Sequence, residues 1–187
     1  MKIIMLKKFI YIISFCLSCT FVLAQEESNL VSISKISLGL RSISFDYQAP
    51  VANSFVLDSK LGIGASARIE KGVATLDYLR SAIFFSSELR YLYSYDKRKN
   101  LGKNTLYNSA SFLGIKTNYQ LKSLNKKNDL YSGNNLSIAG IWGLQRSLNK
   151  NFLFNLHLGA GWVNDFNTKN SIFYPEVGVG FSYILTK

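Results

Sequence analysis

From residue 54 to the end of the chain, apolar side chains recur at every second position in one stretch after another, and helical spacing is nearly absent. Residues 54–69 set Phe55, Leu57, Leu61, Ile63, Ala65 and Ile69 against Ser54, Asp58, Lys60, Gly62, Gly64, Ser66 and Arg68. Residues 83–95 set Ile83, Phe85, Leu89, Tyr91, Tyr93 and Tyr95 against Ser86, Glu88, Arg90 and Ser94. Residues 106–121 continue the pattern, with Tyr107, Leu113, Ile115, Tyr119 and Leu121 opposite Asn108, Ala110, Gly114, Lys116 and Asn118. Three more stretches follow. Leu136, Ile138, Trp142 and Leu144 share a parity, as do Phe152, Phe154, Leu156, Leu158, Ala160 and Trp162, and then Phe173, Val177, Val179, Phe181, Tyr183 and Leu185. Each predicts a long β-strand with one apolar face and one face of charged, small and glycine residues.

Residues 30–48 alternate too, but the phase flips. Ile36, Leu38 and Leu40 are even, whereas Ile43, Phe45 and Tyr47 are odd. A one-residue slip exchanges the two faces of a strand, so the flip predicts a tight turn or bulge between strands near 30–38 and 42–48. The total becomes eight. The connections predicted at 70–80, 122–134 and 164–171 then lie at one end, and those at 48–53, 96–104 and 149–151 at the other.

Strands of this length exceed the usual 5–6 residues of a globular sheet and match the roughly 9–11 that cross a bilayer. The chain has only two prolines, and it lacks the dense turn signals of a soluble sandwich. Tyr47, Tyr91, Tyr93, Tyr95, Tyr107, Tyr119, Trp142, Trp162, Phe173 and Tyr183 all share the apolar parity, many of them near strand ends where headgroups would lie. The expected fold is therefore all-β, an antiparallel up-and-down transmembrane β-barrel.

The N-terminus agrees with export. Lys2, Lys7 and Lys8 precede an apolar run at 9–23, and Val22-Leu23-Ala24 supplies a small-residue cleavage pattern before Gln25. The expectation is a cleaved signal peptide, 1–24, followed by a single barrel domain, 25–187. An uncleaved anchor would need a longer run than this, and lipidation at Cys19 is disfavoured by the Cys16-Leu17-Ser18 that precedes it. Both cysteines fall in the signal, so the exported part has no disulfide, thiol nucleophile or cysteine metal site.

Removal of the signal takes three of the 22 lysines and arginines with it, leaving 19 against 11 acidic residues. The excess sits mostly in connections, at Lys97-Arg98-Lys99, Lys103, Lys122 and Lys126-Lys127. With no basic helix and no nucleic-acid module, these charges point to anionic headgroups rather than nucleic acid.

The export signal, hairpins such as SISFDYQAPVANSFVLDSKLGIG and the closing EVGVGFSYIL together resemble the small eight-stranded outer-membrane barrels of Gram-negative bacteria, of the OmpA and OmpX type. The resemblance covers the whole exported chain as a pattern, without a specific motif. It implies an outer-membrane location, contact with membrane lipid and lipopolysaccharide, insertion by the barrel-assembly machinery, and no cofactor. One departure stands out: such barrels usually close on an aromatic residue, and here Thr186-Lys187 follow Leu185.

Two features carry candidate chemistry. The glycine pairs Gly62/Gly64, Gly159/Gly161 and Gly178/Gly180 lie within strands, so they read as relief of crowding and not as a phosphate loop, which needs a helix start. The inward parity also carries Asp58, Lys60, Arg68, Glu88, Arg90, Lys116, His157 and Glu176. In an interior just wide enough for side chains, these are expected to form a paired polar network, or else a proton or small-ion path. His157, the only histidine, is expected to pair with an inward carboxylate. Lipid A-modifying barrels of this size offer an enzymatic alternative, but their His-x-Ser is here His157-Leu158-Gly159, without the nucleophile. A soluble periplasmic lipid carrier is a further alternative, and it would invert the two faces. The expected function is a non-enzymatic barrel, porin-like in architecture, that anchors surface loops.

Overall fold

The computed structural model describes residues 29–40, 42–70, 73–121, 134–166 and 170–186, with 66–70 and 73–80 given by backbone alone. Eight strands close into one antiparallel barrel in chain order: β1 (Ile33–Gly39), β2 (Ser42–Ala52), β3 (Phe55–Glu70), β4 (Val73–Tyr91), β5 (Ser111–Gln120), β6 (Asn135–Ser147), β7 (Phe152–Asp165) and β8 (Asn170–Thr186). Closure comes from β1 pairing with β8 as well as with β2, which leaves the sheet without a free edge along the paired rungs. The phase flip at 39–42 is the β1–β2 turn.

The apolar parity of every strand faces outward. Ile43, Phe45, Leu61, Ile63, Phe85, Ile115, Ile138, Leu158, Val177 and Phe181 are all exposed on the outer wall, and so are Trp142 and Trp162. An inverted barrel with an apolar interior does not match this arrangement. The aromatics gather at two levels. At the end holding the termini, Phe55 stacks near Tyr91 at 5.0 Å, Phe152 meets Tyr183 edge-on at 5.3 Å, and Trp142 Nε1 donates to the Tyr93 hydroxyl at 2.9 Å. Toward the other end, Trp162 meets Phe173 at 4.9 Å and Tyr119 meets Phe166 at 6.5 Å.

Three segments depart from the sequence expectation. The stretch at 70–80 is not a long loop: β4 begins at Val73, and only 71–72 separate it from β3. The phase is lost there because the register jumps from Ala65↔Ser81 to Ser66↔Asp77, an irregularity that leaves 78–80 unpaired within the strand. The segment 106–110 does not open β5. It holds a short 3-10 turn, Leu106–Asn108, in which Tyr107 and Asn108 take the left-handed φ values of 54° and 60°. Between β4 and that turn runs α1 (Tyr95–Asn100), with Asp96 in its first turn and Lys97, Arg98 and Lys99 in its last, as the helix dipole favours. Gly102, at φ 64°, then reverses the chain. The connection at 122–133 lies outside the described residues.

The consequence is a plug at the inner end, where Asn29 and Thr186 lie. Tyr95 and Tyr107 are buried there and do not lie among the outer-wall aromatics. The Tyr95 hydroxyl donates to the Asn29 carbonyl at 2.8 Å, and that of Tyr107 to the Lys150 carbonyl. Asn108 accepts from Val31 N–H at 2.9 Å and donates to the Val31 carbonyl at 2.8 Å and to Gln48 Oε1 at 3.1 Å. Ile33, Val56, Ala110 and Leu153 fill the space around them.

Asn108→Ala should therefore lower stability by about 2–4 kcal/mol, since it orphans the Val31 groups and forces alanine into a left-handed conformation. A chemical-denaturation midpoint of refolded protein measures this, and an unchanged midpoint would contradict the plug's structural role.

Candidate functional site

The inward parity converges on the barrel's middle. Arg90 of β4 is the centre of the inner group. It is fully buried, its Nη2 and Nε bonding the Glu88 carboxylate (Nε at 2.8 Å), while Nη1 lies 3.0 Å from Asp58 Oδ2 and donates to Gln145 Oε1 at 3.0 Å. Lys35 of β1 donates to Asp58 Oδ2 at 2.8 Å, and Lys60 of β3 donates to Glu88 Oε1 at 2.9 Å. Beneath them Gln145 Nε2 donates to Gln48 Oε1 at 3.2 Å and to the Tyr107 carbonyl at 2.6 Å. The Arg90 guanidinium also lies over the Phe112 ring, 4.6 Å from its centroid.

A second group sits higher. Glu176 Oε1 accepts from Lys116 Nζ at 2.8 Å and lies 3.1 Å from His157 Nε2. These side chains line a cavity of about 140 Å³ together with Ser37, Ser44, Asp46, Asn118, Asn155 and Ser182. Ser37 and Ser44 both donate to the Asp46 carboxylate at 2.5 Å, and Ser37 also lies 2.7 Å from the Ser182 hydroxyl.

Local geometry explains why the rings fit. Three inward rings each face a glycine across the ladder: Phe84 pairs with Gly62, Phe112 with Gly143, and His157 with Gly178. A Cβ at Gly178 would fall 2.1 Å from His157 Cε1, and one at Gly143 would fall 2.5 Å from the Phe112 ring. The rings lie flat on these glycines, which is how a narrow barrel accommodates them.

Of the eight residues marked from sequence, Asp58, Lys60, Glu88 and Arg90 meet in the inner group and Lys116, His157 and Glu176 in the upper one. The Arg68 side chain lies outside the described residues. The sequence reading missed Lys35, Asp46, Gln48 and Gln145, although all four sit on the inward parity of their strands. Among the described residues there is no group of three or more His, Cys, Asp or Glu fit to hold a metal ion.

Chemically, this lumen stores paired charge. Lys35, Lys60, Arg90 and Lys116 balance Asp46, Asp58, Glu88 and Glu176, with Asp165 beyond them near the outer end of β7. Fold and site together define an eight-stranded up-and-down barrel with a salt-bridged interior, plugged at the inner end. No family model, no curated protein and no solved structure matches the chain.

Arg90→Met should cost about 3–5 kcal/mol, because Asp58 and Glu88 stay buried with one cation fewer. The double variant Glu88→Met/Arg90→Met should be more stable than Arg90→Met alone. Denaturation of Arg90→Met, Glu88→Met, the double variant and the parent gives the coupling, and strict additivity would show that the pair does not act as a unit.

Proposed function

We propose that the chain is an exported, integral outer-membrane barrel that performs no catalysis and holds its outer-end loops at the cell surface of a Gram-negative bacterium. The observation carrying this reading is the outer wall. An apolar belt runs between two aromatic levels, an exposed apolar surface of a kind that soluble monomers rarely carry and that marks a membrane or protein contact. From Phe152 to Trp162 the strand climbs ten steps, which at about 3.3 Å per residue and a tilt near 40° is roughly 25 Å along the barrel axis. That is the height of the apolar band in outer-membrane barrels. A closed sheet also satisfies its backbone internally, as hydrocarbon requires, and the signal-like residues 1–24 fit export.

The lumen supports a structural role for the interior. Its inner end is filled, so the cavity is a blind pocket and not a passage. The connections at the outer end would meet lipopolysaccharide, surface ligands or partner proteins, and the sequence between β5 and β6 brings Lys122, Lys126 and Lys127. His157 shares the Glu176 carboxylate with Lys116 inside the lumen, facing away from any acyl chain packed on the outer wall.

The barrel is expected to partition with the outer membrane and to migrate faster in SDS gels before boiling than after it. Recovery in the soluble periplasmic fraction would sink the proposal. Lipid A mass profiles from a deletion strain, the parent and a His157→Ala strain are expected to be identical. A mass change restored by the parent but not by His157→Ala would establish the enzymatic alternative.

A further inference from the structure

Arg146 breaks the pattern of the outer wall. It shares the even, outward parity of β6 with Leu136, Ile138, Trp142 and Leu144, yet it carries a charge. A cation on that face is costly at mid-membrane depth and tolerated near the headgroups. Arg146 stands one residue before the end of β6, four residues past Trp142, whose indole is bonded to Tyr93 in the inner aromatic level.

The plug brings a second arginine beside it. Arg98 of α1 gives Nε to the Ser109 carbonyl at 3.1 Å and Nη2 to the Asn104 carbonyl at 2.9 Å. Arg146 gives Nη2 to Ser111 Oγ at 2.9 Å and Nη1 to the Gln145 carbonyl at 2.8 Å. Both arginines are thus fastened to one short run of chain, which is tied to the end of β6 by the Ser147 N–H donating to Ser109 Oγ at 2.7 Å. They lie within range of each other's charge. A guanidinium has five N–H donors; each spends two on the protein, and three on each have no acceptor among the described residues. No carboxylate among the described residues pairs with either arginine. Lys97 and Lys99, both exposed, flank Arg98, and Asp96, two residues before it, does not share its side of the helix. Holding two like charges together costs free energy that an anion between them offsets.

Toward the barrel's middle, the wall beside this pair has a dent. Gly140 shares the outward parity with open space beyond it, and its rung partners are Ile115 and Ala160. From Arg146 back to Gly140 the strand covers about 15 Å along the axis at the usual tilt, which is the depth of one leaflet. Leu113 and Trp142, both exposed, line the way.

We infer that Arg98 and Arg146 form an interfacial site for the phosphate of a phospholipid of net negative charge, in the leaflet at the plugged end, whose acyl chain runs over Leu113 and Trp142 to the dent at Gly140. The phosphate oxygens accept from the unspent guanidinium N–H groups, a geometry that arginine suits. A zwitterionic headgroup would bring a further ammonium to a surface already rich in lysine. The inference rests on the membrane reading above.

The test is photolabelling of the full exported chain in phosphatidylcholine vesicles that carry a phosphatidylglycerol probe with a diazirine in one acyl chain, adducts being mapped by mass spectrometry. Adducts should concentrate at 113–115 and 138–142. Arg98→Gln/Arg146→Gln should lower them about tenfold, because it removes both charges beside the phosphate. Lys97→Gln/Lys99→Gln removes the same charge from the same end and should lower them no more than about twofold. Heat-modifiable migration of each variant checks that it folds and inserts. Equal losses in the two variants would reduce the effect to diffuse attraction and overturn the site. So would adducts spread evenly around the belt, or a phosphatidylcholine probe that labels the same residues as strongly. A barrel that inserts but gathers no adducts there leaves the arginines to a soluble acidic partner or to the fold, and defeats this inference alone. A chain that stays soluble defeats the membrane reading and this site with it.

Discussion

The Arg90 guanidinium, held between Asp58 and Glu88, is the interaction on which the interior turns. With apolar side chains committed to the outer wall, Lys35, Asp46, Asp58, Lys60, Glu88, Arg90, Lys116 and Glu176 turn inside, and eight strands leave an interior only as wide as side chains can fill. Charges placed there lose their water and must find opposite charges or hydrogen bonds. They do so across non-neighbouring strands: Lys35 of β1 reaches Asp58 of β3, Arg90 of β4 reaches Gln145 of β6, and Lys116 of β5 reaches Glu176 of β8. A one-residue slip of any of these strands would turn a buried charge into the apolar belt. The network therefore guards register as well as filling space.

Packing around the network depends on the pairing of large with nothing. Phe84, Phe112 and His157 each lie across a glycine of the next strand. The Phe112 ring then offers its face to Arg90 at 4.6 Å, and the His157 ring is laid so that Nε2 reaches Glu176. Glycine at 143 and 178 is thus part of the electrostatics: without it the rings could not lie flat, and the charges above and below would lose their lateral supports.

The strands were legible because a half-buried strand writes its faces as period two, and a barrel writes the same face eight times. Their inward charges followed from parity alone. Lys35, Asp46 and Gln48 carried that signal too, in the short strands where the phase flip drew attention to the turn. The errors fall where the period misleads. Tyr95 and Tyr107 extend the odd-numbered aromatics of their neighbours by coincidence of count, and only Asp96, Lys97-Arg98-Lys99 and Gly102 hint at a capped helix between them. At 66–80 the opposite happened: three extra residues in β4 shift the phase against β3, so a continuous hairpin reads as loop. Cross-lumen partners were not legible at all, since they depend on which strands face each other across the closed sheet.

The two ends of the lumen have been given different work. The inner end is closed twice, first by the segment from Leu92 to Ala110 and then by Asn29–Val31 bonded to it through Tyr95 and Asn108. Gln48, Arg90, Phe112 and Gln145, all fully buried, complete the closure above. A transport path would have to break that plug and separate paired charges at each opening, at a cost of several kcal/mol for each ion exposed without its partner. The outer half instead keeps Lys116 and His157 partly accessible, at 19% and 12% of their side chains. With the inner end filled, the outer end is the side from which these polar groups stay accessible.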